Sequence, residues 1–144
     1  MSRGPGTYVL FLALEEDERI PVGRKGEFVF PAGVLAYVGS ARGPGGLAAR
    51  LARHQRHPKP QVWHIDFLRP FAHPIATWWA TGIDRRECVW AEMLARMPGA
   101  SRPVPGFGTS DCRCPAHLVH FPALPDREAF AQAVGDEVWE VKWI

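Results

Sequence analysis

Only three cysteines stand among 144 residues, too few for a disulfide framework, and Cys112 and Cys114 are too close in the chain to bridge each other easily. No apolar run approaches the roughly eighteen residues of a membrane helix, and Met1-Ser2-Arg3-Gly4-Pro5 is not a charged stretch leading into a signal-type apolar core. These absences argue against a disulfide scaffold and a membrane partner and predict a soluble, cytoplasmic protein. Tyrosine is scarce, with Tyr8 and Tyr37 the only two. Acidic residues are missing from the whole stretch between Phe28 and Ile65, where Arg42, Arg50, Arg53, Arg56 and Lys59 occur with His54, His57 and His64. A net charge of +2 hides this local excess, which gives a polyanion a foothold. A solvated helix face would explain the cations but not the missing acids.

The chain is 47% hydrophobic, enough for one core and too short for two full domains. Residues 1–144 therefore read as one domain. Thr7 to Leu14 reads as a strand, ending at the acidic turn Glu15-Glu16-Asp17-Glu18. Ile20 to Gly26, Glu27 to Phe30 and Val34 to Val38 suggest a small antiparallel hairpin or meander. Gly43-Pro44-Gly45-Gly46 stops the last of these strands, and a helix runs from Leu47 to about His57. On its wheel Leu47, Ala48 and Leu51 share one side, and Arg50, His54 and His57 are expected along the exposed rim. The glycine turn lacks the lysine and hydroxyl of a phosphate-cradling P-loop and the spacing of a dinucleotide fingerprint.

Farther on, Pro74 to Ala80 reads as a strand, and Asp84 offers an N-cap to a helix with Trp90, Ala91, Leu94 and Met97 on one face. His117 to Phe121 predicts a strand, Asp126 to Val134 a short helix and Val138 to Ile144 a last strand. The fold class is thus α/β in the wider α+β sense: a small, mainly antiparallel central sheet flanked by helices. Trp78, Trp79, Trp139 and Trp143 suit either a core or an interface between copies, so the oligomeric state stays open.

Glu87 is the hardest residue to read as mere structure. It shares a helix side with Trp90, Ala91 and Leu94, where a carboxylate is costly unless it is paired or holds a metal. Asp84-Arg85-Arg86-Glu87 also has capping-box spacing, so Glu87 could instead reach back to a backbone N–H. Tyr8 and Tyr37 could be ordinary core tyrosines. Gly39 suits a tight turn or the close approach of a phosphate. Cys112-x-Cys114-x-x-His117 gathers three candidate zinc ligands, with Cys88 or His64 as a fourth, although the spacing is not that of a standard finger. The competing expectation is cysteines packed in the core, with Asp111 and His117 as hydrogen-bonded supports. In Trp63-His64-Ile65-Asp66, the histidine and aspartate are expected either to back the site or to satisfy each other.

Taken together, these residues resemble the GIY-YIG endonuclease family, a likeness that implies a core over about 6–97 and leaves a Cys/His-containing extension over about 98–144. Gly6-Thr7-Tyr8 resembles its first signature tripeptide, and Tyr37-Val38-Gly39, continued by Ser40-Ala41, its second. Arg50 with His54 is similar to the family's arginine and following histidine or tyrosine, and Glu87 with Trp90 to its metal-holding glutamate. The whole chain is closer still to a compact, often stand-alone branch of that superfamily. There Val22-Gly23, Arg53-His54, Trp63-His64-Ile65-Asp66, Glu87-Cys88 and Ser110-Asp111-Cys112-Arg113-Cys114 also have counterparts.

The resemblance implies metal-dependent hydrolysis of phosphodiester bonds in DNA, or in RNA, structure- or damage-directed rather than sequence-specific. Tyr8, Tyr37, Arg50, His54 and Glu87 would be catalytic. Glu87 would hold Mg²⁺ or Mn²⁺, Tyr37 would serve first as general base with a cation lowering its pKa, Arg50 would clamp the phosphate, and His54 would orient a tyrosine. Gly39, Ser40, Arg42, Arg53, Arg56 and Lys59 would line the path of the nucleic acid. The alternatives are a non-catalytic nucleic-acid-binding module of the same fold and a zinc-stabilised interaction protein.

Overall fold

The period-two alternation of Gly6–Leu14 (β1) sends Tyr8, Leu10, Leu12 and Leu14 into one core cluster and Val9 and Phe11 into another, so β1 is covered on both faces. In the computed structural model, which describes residues 3–56, 61, 63–109 and 114–143, it forms the centre of the sheet. Glu18–Pro21 (β2) and Glu27–Phe30 (β3) pair as a separate hairpin. Gly33–Ala41 (β4) and His73–Thr81 (β5) flank β1, both antiparallel to it. Leu118–Phe121 (β6) and Trp139–Lys142 (β7) form the edges, completing a five-stranded antiparallel sheet of order β6-β4-β1-β5-β7. The expected α+β class is observed.

Three helices among the described residues cover this sheet. Gly46–Gln55 (α1) buries Leu47 and Leu51 in the Tyr8 face, joined there by Ile20, Val22 and Phe30 of the hairpin region. Gly45 and Gly46 take positive φ, +83° and +57°, in the turn entering α1, where a side chain would be strained. A Cβ on Gly46 would also run into the backbone of residues 3 and 4. Glu87–Ala95 (α2) and Arg127–Val134 (α3) cover the opposite face, with Trp78, Trp90 and Phe130 fully buried between them and the sheet. Burying such rings removes apolar area from water at about 25 cal/mol per Å². Asp126 caps α3, its carboxylate accepting from Glu128 N–H at 3.0 Å. The elements match the expected order, with strand and helix ends displaced by a residue or a few.

Of the tryptophans left open above, Trp78 is core, whereas Trp139 is 51% exposed. No helix among the described residues is long and apolar enough to cross a membrane.

Candidate active site

Leu47, Leu51 and His54 follow the i, i+4, i+7 pattern of a single helix stripe. His54 is therefore wholly buried beneath α1, not displayed on its rim as the wheel suggested. It shares a 2.7 Å hydrogen bond, through Nε2, with the hydroxyl of Tyr8, which is also fully buried. Burial pushes the Tyr8 phenol well above its ordinary range, and the neighbouring Tyr37 adds to this, while the Arg50 guanidinium pulls the other way.

Gly39 lies opposite Tyr8 in the β1–β4 ladder. A Cβ there would stand 2.5 Å from the Tyr8 hydroxyl, so the glycine makes room for the phenol. The tight-turn reading is overturned, because Gly39 sits within β4.

Tyr37 lies in front of this pair and is only partly buried. Its ring centroid is 6.5 Å from that of Tyr8 and 6.0 Å from that of His54. Its phenol is raised to about 12, mainly by burial; Arg50 opposes the shift, and Asp66 and Glu87 reinforce it. A proton therefore leaves Tyr37 only with help from additional positive charge.

The two arginines of α1 have separated roles. Arg53 makes a bidentate pair with the buried Asp66, at 3.0 and 2.8 Å, and lies 3.5 Å above the Trp63 ring. Asp66 also accepts from Trp63 N–H at 2.8 Å. His64 faces elsewhere, its Nδ1 accepting from Gly108 N–H at 2.8 Å, so the expected His64–Asp66 partnership is replaced by Arg53–Asp66. Arg50 rests 4.7 Å from the Trp63 centroid and has no ion-pair partner among the described residues.

Glu87 reaches the same end of the sheet from α2. Asp84 does not cap this helix: Arg86 is the N-cap, no side chain caps it, and Glu87 is its first residue, so no capping box forms. Instead Glu87 Oε2 is buried and accepts no hydrogen bond among the described residues. The carboxylate is near enough to raise Tyr37 together with burial, and to raise His117 against the larger lowering effect of burial. A buried carboxylate oxygen with no donor among the described residues, close to the Tyr37 phenol, fits a hard divalent cation.

Arg50, Arg53 and Arg56 line a cavity of about 160 Å³ together with Gly43, Pro44 and Gly46 at the start of α1. Arg56 is exposed, Ser40 is partly buried near the end of β4, and exposed Arg42 donates to the Ile83 carbonyl at 2.7 Å. Lys59, His57, Asp111 and Cys112 lie outside the described residues. Cys114 and His117 do come together, and α2 brings Cys88 to them. That convergence was visible in the sequence only as a suggestion of a fourth ligand, because 29 residues separate Cys88 from His117. The Arg53–Asp66 pair was missed; its signal was an arginine on the helix and, 13 residues on, Asp66 as the first acidic residue beyond the acid-free stretch.

The model of one protein family, described as Domain of unknown function DUF123, matches residues 7–139, a span that includes β1, both tyrosines, α1, Glu87 and the Cys/His cluster. No curated protein and no solved structure matches the chain.

Proposed function

We propose that this chain, which belongs to the DUF123 family, is a divalent-metal-dependent nuclease acting on DNA, of the GIY-YIG type that its motifs resemble. The observation that carries the reading is the buried Glu87 oxygen, which accepts no hydrogen bond among the described residues, close to Tyr37, whose phenol also feels the Arg50 guanidinium. A stable fold gains nothing from leaving such a carboxylate without a donor.

Glu87 would hold Mg²⁺ or Mn²⁺, and the ion would supply charge neutralisation at the phosphoryl group. Arg50 offers a planar fork to the scissile phosphate, and its place over Trp63 limits the freedom lost on binding. Tyr37, the more accessible phenol, orients the attacking water, and its tyrosinate, formed only where added positive charge draws the phenol proton off to solvent, would accept the water's proton. Tyr8 and His54 form the hydrogen-bonded layer behind it, fixing the aromatic cluster and stabilising charge that develops on Tyr37. Arg53 is a positioning residue: its pairing with Asp66 anchors Trp63, on which Arg50 rests. Arg50, Arg53 and Arg56, spaced along α1 as far as its C-cap, would meet backbone phosphates, which carry no base sequence, and this fits shape- or damage-directed cutting better than sequence recognition.

The test is a cleavage screen over flap, branched, damaged and single-stranded DNA, with matching RNA, in Mg²⁺ and in Mn²⁺. Metal-dependent cutting is expected, and Glu87→Ala should reduce it at least about a thousandfold while leaving salt-sensitive binding intact. Salt-sensitive binding without cutting on every substrate would replace the enzyme with a binding module.

A further inference from the structure

Cys88 Sγ, Cys114 Sγ and a ring nitrogen of His117 all lie within 4.8 Å of one another. Cys88 Sγ is 3.7 Å from His117 Nε2. A tetrahedral zinc at about 2.3 Å from sulfur and 2.1 Å from nitrogen sets sulfur and nitrogen about 3.6 Å apart, and two sulfurs about 3.8 Å apart. The Cys88–His117 edge thus already has the required length. The remaining edges close with side-chain movement of at most about 1 Å.

We propose that Cys88, Cys114 and His117 form a zinc site that ties the start of α2 to the edge of the sheet beside Tyr37. Two thiols and an imidazole suit zinc and not the hard cations that favour oxygen donors, so this site is chemically distinct from the Glu87 carboxylate. Coordination releases the two thiol protons and uses the neutral imidazole. Three protein ligands leave one tetrahedral position for water or another donor.

The surroundings are built to hold the imidazole still. His117 N–H donates to the Phe107 carbonyl at 2.8 Å, and its own carbonyl accepts from Val38 N–H at 2.8 Å. Gly108 passes close enough that a Cβ there would lie 3.2 Å from His117 Cβ and 3.1 Å from the Tyr37 ring. His117 is 6% exposed and the two cysteines are partly buried, so an ion at this site is sheltered. Because Cys88 directly follows Glu87, zinc there would fix the backbone from which the carboxylate reaches Tyr37. This assignment does not rest on the nuclease reading, and its test uses no cleavage.

The full chain, purified under reducing conditions without chelator, is loaded with zinc, desalted and analysed for metal, then titrated against a chromophoric chelator. One tightly held zinc per chain is expected. Cys88→Ser and Cys114→Ser, near-isosteric changes whose folding circular dichroism checks, should each weaken binding at least about a hundredfold. Cobalt in place of zinc should give a thiolate charge-transfer band and tetrahedral d–d bands, both altered in Cys88→Ser. Glu87→Gln should keep its zinc. The proposal is overturned if the wild-type chain holds no stoichiometric zinc, if both cysteine variants bind as tightly as wild type, or if Glu87→Gln loses the ion.

Discussion

The two faces of the central sheet use alternate residues of the same strands, yet their interiors differ in kind. Behind Val9 and Phe11 the core consists of aliphatic and aromatic packing, and its polar atoms are settled at the margin. Trp78 Nε1 donates to Glu140 at 2.8 Å and Trp90 Nε1 to Asp136 at 3.0 Å. In front of Tyr8 the core contains a phenol–imidazole hydrogen bond and a paired aspartate, and at its border stands a carboxylate oxygen without a donor among the described residues. Polar groups in low dielectric are costly, so the first face secures the fold while the second carries groups that weigh against it. The Glu87 site belongs to the second kind even though α2 packs on the first face: its helix straddles the boundary.

This contrast is open to direct attack. On the apolar face, Trp78→Ala should lower unfolding stability by about 4 kcal/mol in urea titrations. Its effect on cleavage per folded molecule should be slight; a large loss there would erase the division between the faces. Tyr8→Phe is the opposite case, removing one hydroxyl and little volume. It should cost only about 1 kcal/mol of stability, but reduce cleavage about a hundredfold in single-turnover assays. Equal activity in Tyr8→Phe would leave the Tyr8–His54 pair a structural feature.

The smallest effect concerns pH, and the chain's two tyrosines make it readable, since every tyrosinate signal comes from Tyr8 or Tyr37. Both phenols are raised by burial, Tyr37 to about 12. The native state therefore keeps protons that the unfolded chain releases near pH 10. The stability they contribute is fully present below that pH and is lost as pH climbs through the folded values. Ultraviolet titration of the native protein should thus yield no tyrosinate at pH 10, and the midpoint of thermal unfolding should fall from that pH upward. Ordinary titration of either phenol near 10 would contradict its burial.

Much of the architecture was legible because it rests on short-range patterns. Alternation marked β1, the glycine turn marked the start of α1, and Trp90, Ala91 and Leu94 marked the buried side of α2. Details that depend on neighbours were not. The capping-box spacing at Asp84 was present, but the chain enters α2 too late to use it. His54 was placed on the rim by its wheel position beside Arg50 and His57; Tyr8, 46 residues away, supplies the partner that permits its burial. Arg50 was read as a phosphate clamp and Arg53 as a contact along the nucleic-acid path, and only the position of Asp66 shows that Arg53 is held in an ion pair.

By itself the sequence determined the α+β class, the order of the elements and the set of residues able to do chemistry, because side-chain periodicity and turn chemistry act over a few residues. Tertiary structure decided which of those residues meet. It laid Tyr8 over Gly39, buried His54, left one Glu87 oxygen without a donor among the described residues and gathered Cys88 with Cys114 and His117. Such meetings depend on strand order and helix docking, where contacts between distant segments offset the loss of chain entropy, and no local pattern encodes them.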